Sequence, residues 1–342
     1  MTDMEYRPLG RTGVQVSKLC LGTMMFGASG NTDHDDSIRI IHRALDAGVN
    51  FVDTADVYSA GESEEIVGRA LAGGRRDDVV LATKFYMPMG DDPNRRGASR
   101  RWIVQAVEDS LGRLGTDWID LYQVHRPDLD TDIDETLAAL SDLVQQGKVR
   151  YIGSSSYSGS EIVEAQWTAR HRHLQRFRTE QPPYSLLTRS IEVDVLPTAQ
   201  RHGMGILTYS PLAGGWLSGR WTEDATPTSP ARQRLTARFD MSLPENQRKL
   251  AAVEQLAKVA DEAGISLIEL AIAFVVNHAA VTSAIIGPRT TEQFDSQLPA
   301  ADVTLDHAML DRIDSIVRPG VNLNPADTSY GEQTLEAALR RR

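Results

Sequence analysis

Only one cysteine stands among the 342 residues, so no internal disulfide can form. Cys20 sits in the apolar run KLCLG and reads as core. A reducing cytoplasm suits such a chain. No apolar run is long enough to span a bilayer, and MTDMEYRPLGRTG carries no apolar signal region. Positive charge is scarce: 36 Lys and Arg face 47 Asp and Glu, a net charge of −11. That surface repels nucleic-acid phosphate. The short basic cluster RHRHLQRFR at 170–178 reads as a solvated helix end, with His171 and His173 no metal site. A nucleic-acid partner and a membrane are therefore excluded, and an anionic ligand needs a local cationic pocket. The first strand is followed by LGTMMFG, which lacks the GxGxxG spacing of an open dinucleotide-binding sheet.

What is present is a repeated alternation. Strand-like runs occur at 18–22, 50–54, 79–84, 118–124, 149–153, 178–181, 205–210 and 282–287. Amphipathic stretches lie between them. DDSIRIIHRALDAG (35–48) places Ile38, Ile41, Ala44 and Leu45 on one face and stops at a glycine. Residues 99–115 and 132–148 repeat the pattern. Such alternation implies parallel strands with right-handed crossovers, and eight strands close a (β/α)8 TIM barrel. An open doubly wound sheet is the alternative. PLGRTGVQVS (8–17) reads as an N-terminal β-hairpin. Residues 211–245 form a long loop, 318–342 a C-terminal tail, and the whole chain, 1–342, reads as a single domain.

In such a barrel the strands' C-terminal ends carry the active site. Those ends hold Asp53 with Tyr58 just beyond, Lys84, His125, Gln181, Tyr209 with Ser210, and Gly287 with Arg289. A phenol titrates near pH 10, and a neighbouring ammonium lowers that value. A carboxylate beside the lysine keeps it charged, and a histidine at the same rim can donate to a carbonyl. That set protonates an oxygen turning into an alkoxide. The carbon then needs hydride, and hydride needs a nicotinamide cofactor.

Singly, each residue has a plainer reading: Asp53 as a turn residue, Tyr58 as a packed aromatic, Lys84 as surface, His125 as structural. Asp56, Glu62, Glu64 and Glu65 read as an exposed first helical turn that suits the helix dipole. Met24, Met25, Phe26, Phe85, Tyr86, Met87 and Met89 follow strands one and three, so several should wall a substrate pocket. Trp216 reads as a pocket wall or as an anchor of the long loop.

Taken together, NFVDTADVYSAGESEEIVG (50–68), VVLATK (79–84), LYQVHRPD (121–128), GKVRYIGSSSYS (147–158), EQPPYSLL (180–187), YSPLAGGWLSGRW (209–221) and IIGPRTTEQ (285–293) resemble the aldo-keto reductase superfamily. The likeness is to its bacterial branch, which also resembles potassium-channel β subunits. It implies a (β/α)8 barrel that binds NADPH/NADP+ and reduces an aldehyde or ketone. By position, Tyr58 matches the general acid, Lys84 and Asp53 the pair that tunes it, and His125 the residue that orients the carbonyl. Ser155 and Gln181 would hold the nicotinamide carboxamide and Tyr209 would stack on the ring, with Gly22, Thr23 and Met24 at its other edge. Ser210, Pro211, Leu212, Gly214, Ser218 and Arg220 would wrap the pyrophosphate. Gly287, Arg289, Gln293 and Gln297 would hold the adenosine end. Arg289 offers a fork to a ribose phosphate, which favours NADPH. Where many members have a Ser-Asn pair, this chain has Ser155 and Ser156, and Ser296 and Gln297 stand where an acidic residue and an asparagine are common.

The implied substrate is a small-molecule carbonyl compound: an aromatic or aliphatic aldehyde, a quinone or a ketosugar. Phe26, Tyr58, Phe85, Tyr86, His125 and Trp216 are the expected pocket. The family contains monomers, dimers and larger rings, so a homo-oligomer stays open. Two rivals stand beside this reading. One is a cofactor-loaded, redox-sensing binding subunit with slow turnover. The other is a barrel enzyme that uses Lys84 as a Schiff-base nucleophile.

Overall fold

A computed structural model describes residues 4–222 and 235–328. Parts of two expectations, the middle of the 211–245 loop and the end of the 318–342 tail, lie outside the described residues. Eight parallel strands close a barrel in chain order: β3 (Leu19–Gly22), β4 (Phe51–Asp53), β5 (Val80–Phe85), β6 (Ile119–Val124), β7 (Val149–Ser155), β8 (Thr179–Gln181), β9 (Gly205–Tyr209) and β10 (Ser283–Ile286). The closing pair, β10 with β3, sets Ile285 against Cys20. All eight strands expected from the sequence are present, and the open sheet is set aside.

The barrel forms because its strands are apolar on both faces, as buried parallel strands are. Inward positions supply an inner core of Cys20, Phe51, Ala82, Leu121, Leu207 and Ile285. The antiparallel hairpin β1 (Tyr6–Pro8) and β2 (Gln15–Ser17) contributes Leu9 and Val16 to that same core. It therefore plugs the N-terminal end of the barrel. Outward positions such as Leu81, Phe85 and Tyr122 pack under the helices.

Helices α1 (His34–Asp46), α2 (Glu62–Leu71), α3 (Arg100–Leu114), α4 (Ile133–Gln145), α5 (Gly159–His171) and α6 (Val195–His202) return the chain between strands. Their starts are written in side chains: Asp33 and Ser99 cap α1 and α3, and Ser158 with Glu161 forms a capping box on α5. Gly61 starts α2 at φ 100°, where a Cβ would lie 2.7 Å from Arg113 Cδ, so glycine is required. Beyond β9 come α7 (Thr236–Phe239), α8 (Pro244–Glu262) and α9 (Leu267–Val276), and beyond β10 come α10 (Thr291–Gln297) and α11 (His307–Ile316).

The acidic run after Gly61 departs from expectation. Glu64 is fully buried rather than exposed. It faces the barrel and holds Thr83 Oγ1 at 2.5 Å and Arg113 Nε at 2.7 Å. Asp56 is also fully buried. Only Glu65 lies in solvent, while half-buried Glu62 accepts from Ala28 N at 2.7 Å. The helix dipole describes one end of α2, but helix–barrel packing decides which acids are covered.

Candidate active site

The site is built on strand ends at the barrel's C-terminal mouth. Lys84 points inward from β5 because Ala82 does, two residues earlier. Its Nζ lies 2.5 Å from Asp53 Oδ1, 2.8 Å from the Thr54 carbonyl and 3.3 Å from Tyr58 Oη. Both members of the ion pair are buried. The other oxygen of Asp53 accepts from Gln181 Nε2 at 2.9 Å and from Gln123 Nε2 at 3.1 Å. The His125 ring stands edge-on to Tyr58, with centroids 5.8 Å apart.

Charge states follow from burial and neighbours. Burial disfavours the Lys84 ammonium, but Asp53 and Tyr58 outweigh it and hold the amine above the usual lysine value. The sequence argument expects the ammonium to lower the Tyr58 phenol. Here burial raises it, Lys84 pulls the other way, Asp53 adds to the rise, and the result lies above 10. The lysine's charge is already answered by Asp53, so less of it reaches the phenol. His125 is pushed well below 6.5 by burial and then by Lys84 and Arg126, so its imidazole is neutral. Its Nδ1 is buried with no hydrogen-bond partner among the described residues.

The expected cofactor residues line one side of the mouth. Ser155 Oγ donates to the Gln181 carbonyl at 2.9 Å. Tyr209 meets Ser156 Oγ through its hydroxyl at 3.3 Å. Gly22 is needed for close packing, since a Cβ there would lie 2.5 Å from Ile285 Cγ2. Thr23 is buried and bonded to Ser63, whereas Met24 is exposed. After β9 the backbone is left-handed at Ser210, Ala213, Gly214 and Gly215, so the chain turns tightly as it leaves the strand. Ser218 Oγ accepts from the exposed Arg220 at 3.2 Å. Beyond β10, Gly287 opens to solvent and the Gln293 side chain accepts from the Arg289 backbone at 2.9 Å. The Arg289 guanidinium is exposed and has no partner among the described residues. Gln297 Oε1 is buried without a partner among the described residues.

Three expected pocket walls are corrected. Phe85 is fully buried on the outer face of β5, tilted against Tyr122 with ring centroids 4.8 Å apart, because strand alternation turns it away from Lys84. Phe26 is fully buried in the same outer core. Trp216 is the loop's anchor: it stacks on Trp221 at 3.8 Å, beneath Lys249 Nζ at 4.5 Å. Lys249 and Arg238 both reach Asp327, at 2.8 and 3.0 Å, tying the loop to α8 and to the tail. Tyr58, Tyr86 and His125 stay at the mouth.

Sequence reasoning missed Gln123, which orients Asp53. Its signal was available: on β6 the inward positions run Leu121, Gln123, and an amide in that series needs a buried partner. It also passed over Arg126, whose Nη1 reaches Ser156 Oγ at 3.2 Å. Backbone strain gathers here too, since Ser59, Ala60, Tyr86, Ser156 and Ser210 all have positive φ. Among the described residues, no group of His, Cys, Asp and Glu is placed to hold a metal ion, and no helix is long and apolar enough to cross a membrane.

This geometry can protonate a substrate oxygen. The model of the aldo/keto reductase family matches residues 18–318. The chain is 42% identical to the uncharacterized oxidoreductase YrpG of Bacillus subtilis, over 92% of this chain and 96% of the relative. It is 36% identical to a probable voltage-gated potassium channel subunit beta of Arabidopsis thaliana, over 92% and 97%. It is 39% identical to the aldo-keto reductase YhdN of Bacillus subtilis, over 86% and 87%. The matched span takes in every barrel strand and the whole mouth, so the chain belongs to the aldo/keto reductase family and, by that membership, is an oxidoreductase.

Proposed function

We propose that the chain reduces an aldehyde or ketone to its alcohol with NADPH, with Tyr58 as general acid. One observation carries the reading: a buried, charged Lys84 held between Asp53 and the Tyr58 hydroxyl. A phenol raised by burial keeps its proton at neutral pH, which is the form an acid needs. As negative charge develops on the substrate oxygen, the ammonium 3.3 Å from Oη stabilises the phenolate left behind. Neutral His125 must carry its one proton on a ring nitrogen, and the buried, unpartnered Nδ1 is the costlier place for it. Nε2 therefore donates to the carbonyl and fixes its direction.

The residues present suit a nicotinamide cofactor. Gln181 has spent its amide on Asp53 and Gln123, which leaves Oε1 to accept from a carboxamide, beside Ser155. Tyr209 offers a ring face, the tight turns at 210–215 offer a wrap, and Gln297 Oε1 lacks a partner at the adenosine end. The unpaired Arg289 favours a 2′-phosphate. A bound nicotinamide supplies the hydride that reduces the carbonyl carbon. The residues of the chain orient the carbonyl and deliver the proton.

The likeness to a channel subunit beta supports a second, binding reading. A stoichiometric protein partner with very slow turnover would favour it. The first test is a fluorescence titration with NADPH and NADH on wild type and Arg289→Ala. NADPH binds more tightly to wild type and loses about 10- to 100-fold in the variant. Failure to bind either cofactor removes the hydride donor and the proposal with it.

A further inference from the structure

Arg126 follows His125 directly and stands half-buried at the rim of the mouth. Its Nη1 donates to the His125 carbonyl at 2.7 Å and to Ser156 Oγ at 3.2 Å. Its Nε and Nη2 have no partner among the described residues. It pairs with no described carboxylate, on a chain with 47 acidic residues. Four other covered arginines each hold a carboxylate: Arg76 holds Asp120, Arg113 holds Glu64, Arg189 holds Glu192, and Arg238 holds Asp327; half-buried Arg176 has none, but it gives its Nη1 to the Phe177 and His202 carbonyls, away from the mouth. A partly desolvated guanidinium with idle donors loses hydration without return. The cost is recovered only when an anion arrives.

The position tells which anion. Arg126 is close enough for its charge to act on both Tyr58 and His125. Its first two contacts fix Nη1 between β6 and β7, and Ser156 passes the chain on to Tyr209. The planar fork matches a carboxylate with two parallel hydrogen bonds. A single such cation answers a single negative charge.

We infer that Arg126 is a substrate-recognition residue, and that the preferred substrates are small aldehydes or ketones carrying a carboxylate. The inference rests on the carbonyl-reductase reading and narrows its substrate class. Arg126 binds the end of the molecule that does not react, while Tyr58 and His125 hold the carbonyl.

The test compares 4-carboxybenzaldehyde with methyl 4-formylbenzoate, which differ in charge at the far end. Wild type favours the carboxylate in kcat/KM. In Arg126→Met the ratio between the two falls about 10- to 100-fold, mainly through KM. Arg126→Lys restores part of it, because the charge returns without the fork. An equal fall for both substrates marks a structural role and overturns the inference, as does a parallel loss of NADPH binding, which marks a cofactor contact. A second measurement separates this inference from the parent reading. Benzoate and benzamide are titrated into NADP+-saturated protein, wild type and Arg126→Met, whether or not any aldehyde is reduced. Benzoate binds more tightly to wild type only. If wild type binds the two alike, Arg126 recognises no carboxylate.

Discussion

At the N-terminal end of the barrel, Leu9 and Val16 of the hairpin close over Cys20, Phe51, Ala82, Leu121, Leu207 and Ile285. Two residues further along the same strands, the inward positions hold Asp53, Lys84 and Gln123. The floor is apolar and sealed, while the mouth is charged and reaches solvent. Burying the floor removes apolar surface from water and stabilises the fold. Burying the Asp53–Lys84 pair carries a desolvation cost that its attraction only about offsets. One strand set therefore does two jobs in adjacent layers. The lower layer supplies rigidity, which holds Nζ, Oδ1 and Oη within a few tenths of an ångström of where chemistry needs them.

The largest effect expected is on the mouth alone. Tyr58→Phe removes one oxygen and leaves the ring packed beside His125. Turnover of an aldehyde falls about 10²- to 10⁴-fold, while NADPH affinity and thermal stability stay near wild type. Single-turnover kinetics with NADPH read the chemical step directly. Near-normal turnover in the variant would make another group the acid, and the contrast between the layers would lose its functional half.

A floor mutation should do the reverse. Phe51 is fully buried in the inner core, two residues before Asp53. Phe51→Ala leaves a cavity and costs about 3–5 kcal/mol of stability, read by urea unfolding. The surviving folded molecules keep the Asp53–Lys84–Tyr58 contacts and thus most of kcat. A collapse of kcat without loss of stability would show that the layers are not separable.

The strands and their order were legible because buried parallel strands announce themselves as short apolar runs between amphipathic helices. The mouth was legible for a related reason: Asp53, Lys84 and His125 are charged or polar residues at the ends of such runs, where nothing apolar explains them. What stayed hidden depended on facing. Phe85 follows Lys84 directly and looked like a pocket wall, yet period-two alternation sends it outward to Tyr122. Glu64 looked exposed because acidic residues suit a helix start, but its place on α2 turns it toward Thr83 and Arg113. Trp216 could be resolved only by its contacts, with Trp221 nearby and with Phe239 and Lys249 far along the chain.

The smallest effect sharpens the comparison between two acids that stand at and just beyond the end of β4. Asp53 and Asp56 are three residues apart and both buried. Asp53 has Lys84 and two glutamines, whereas neither oxygen of Asp56 has a hydrogen-bond partner among the described residues. Burial, helped by the nearby charge of Glu64 and only partly opposed by the Val57 backbone N–H, Arg113 and Lys84, lifts the Asp56 carboxyl to about 8. The folded value thus exceeds the unfolded one, near 4. Folding then retains a proton that the unfolded chain releases, so this contribution is complete below about pH 4 and is lost as pH rises to about 8. Glu180, also lifted to about 8 by burial, and neutral His125 add their own pH terms. The informative quantity is the difference between wild type and Asp56→Asn, in which those terms cancel. Urea unfolding at pH 5.5, 6.5 and 7.5 should show the variant gaining on wild type by about 1 kcal/mol per pH unit. A difference that does not change with pH would mean that Asp56 is ionised in the folded protein. The segment after β4 would then hold a second buried carboxylate, and the division between one paired acid and one neutral acid would fail.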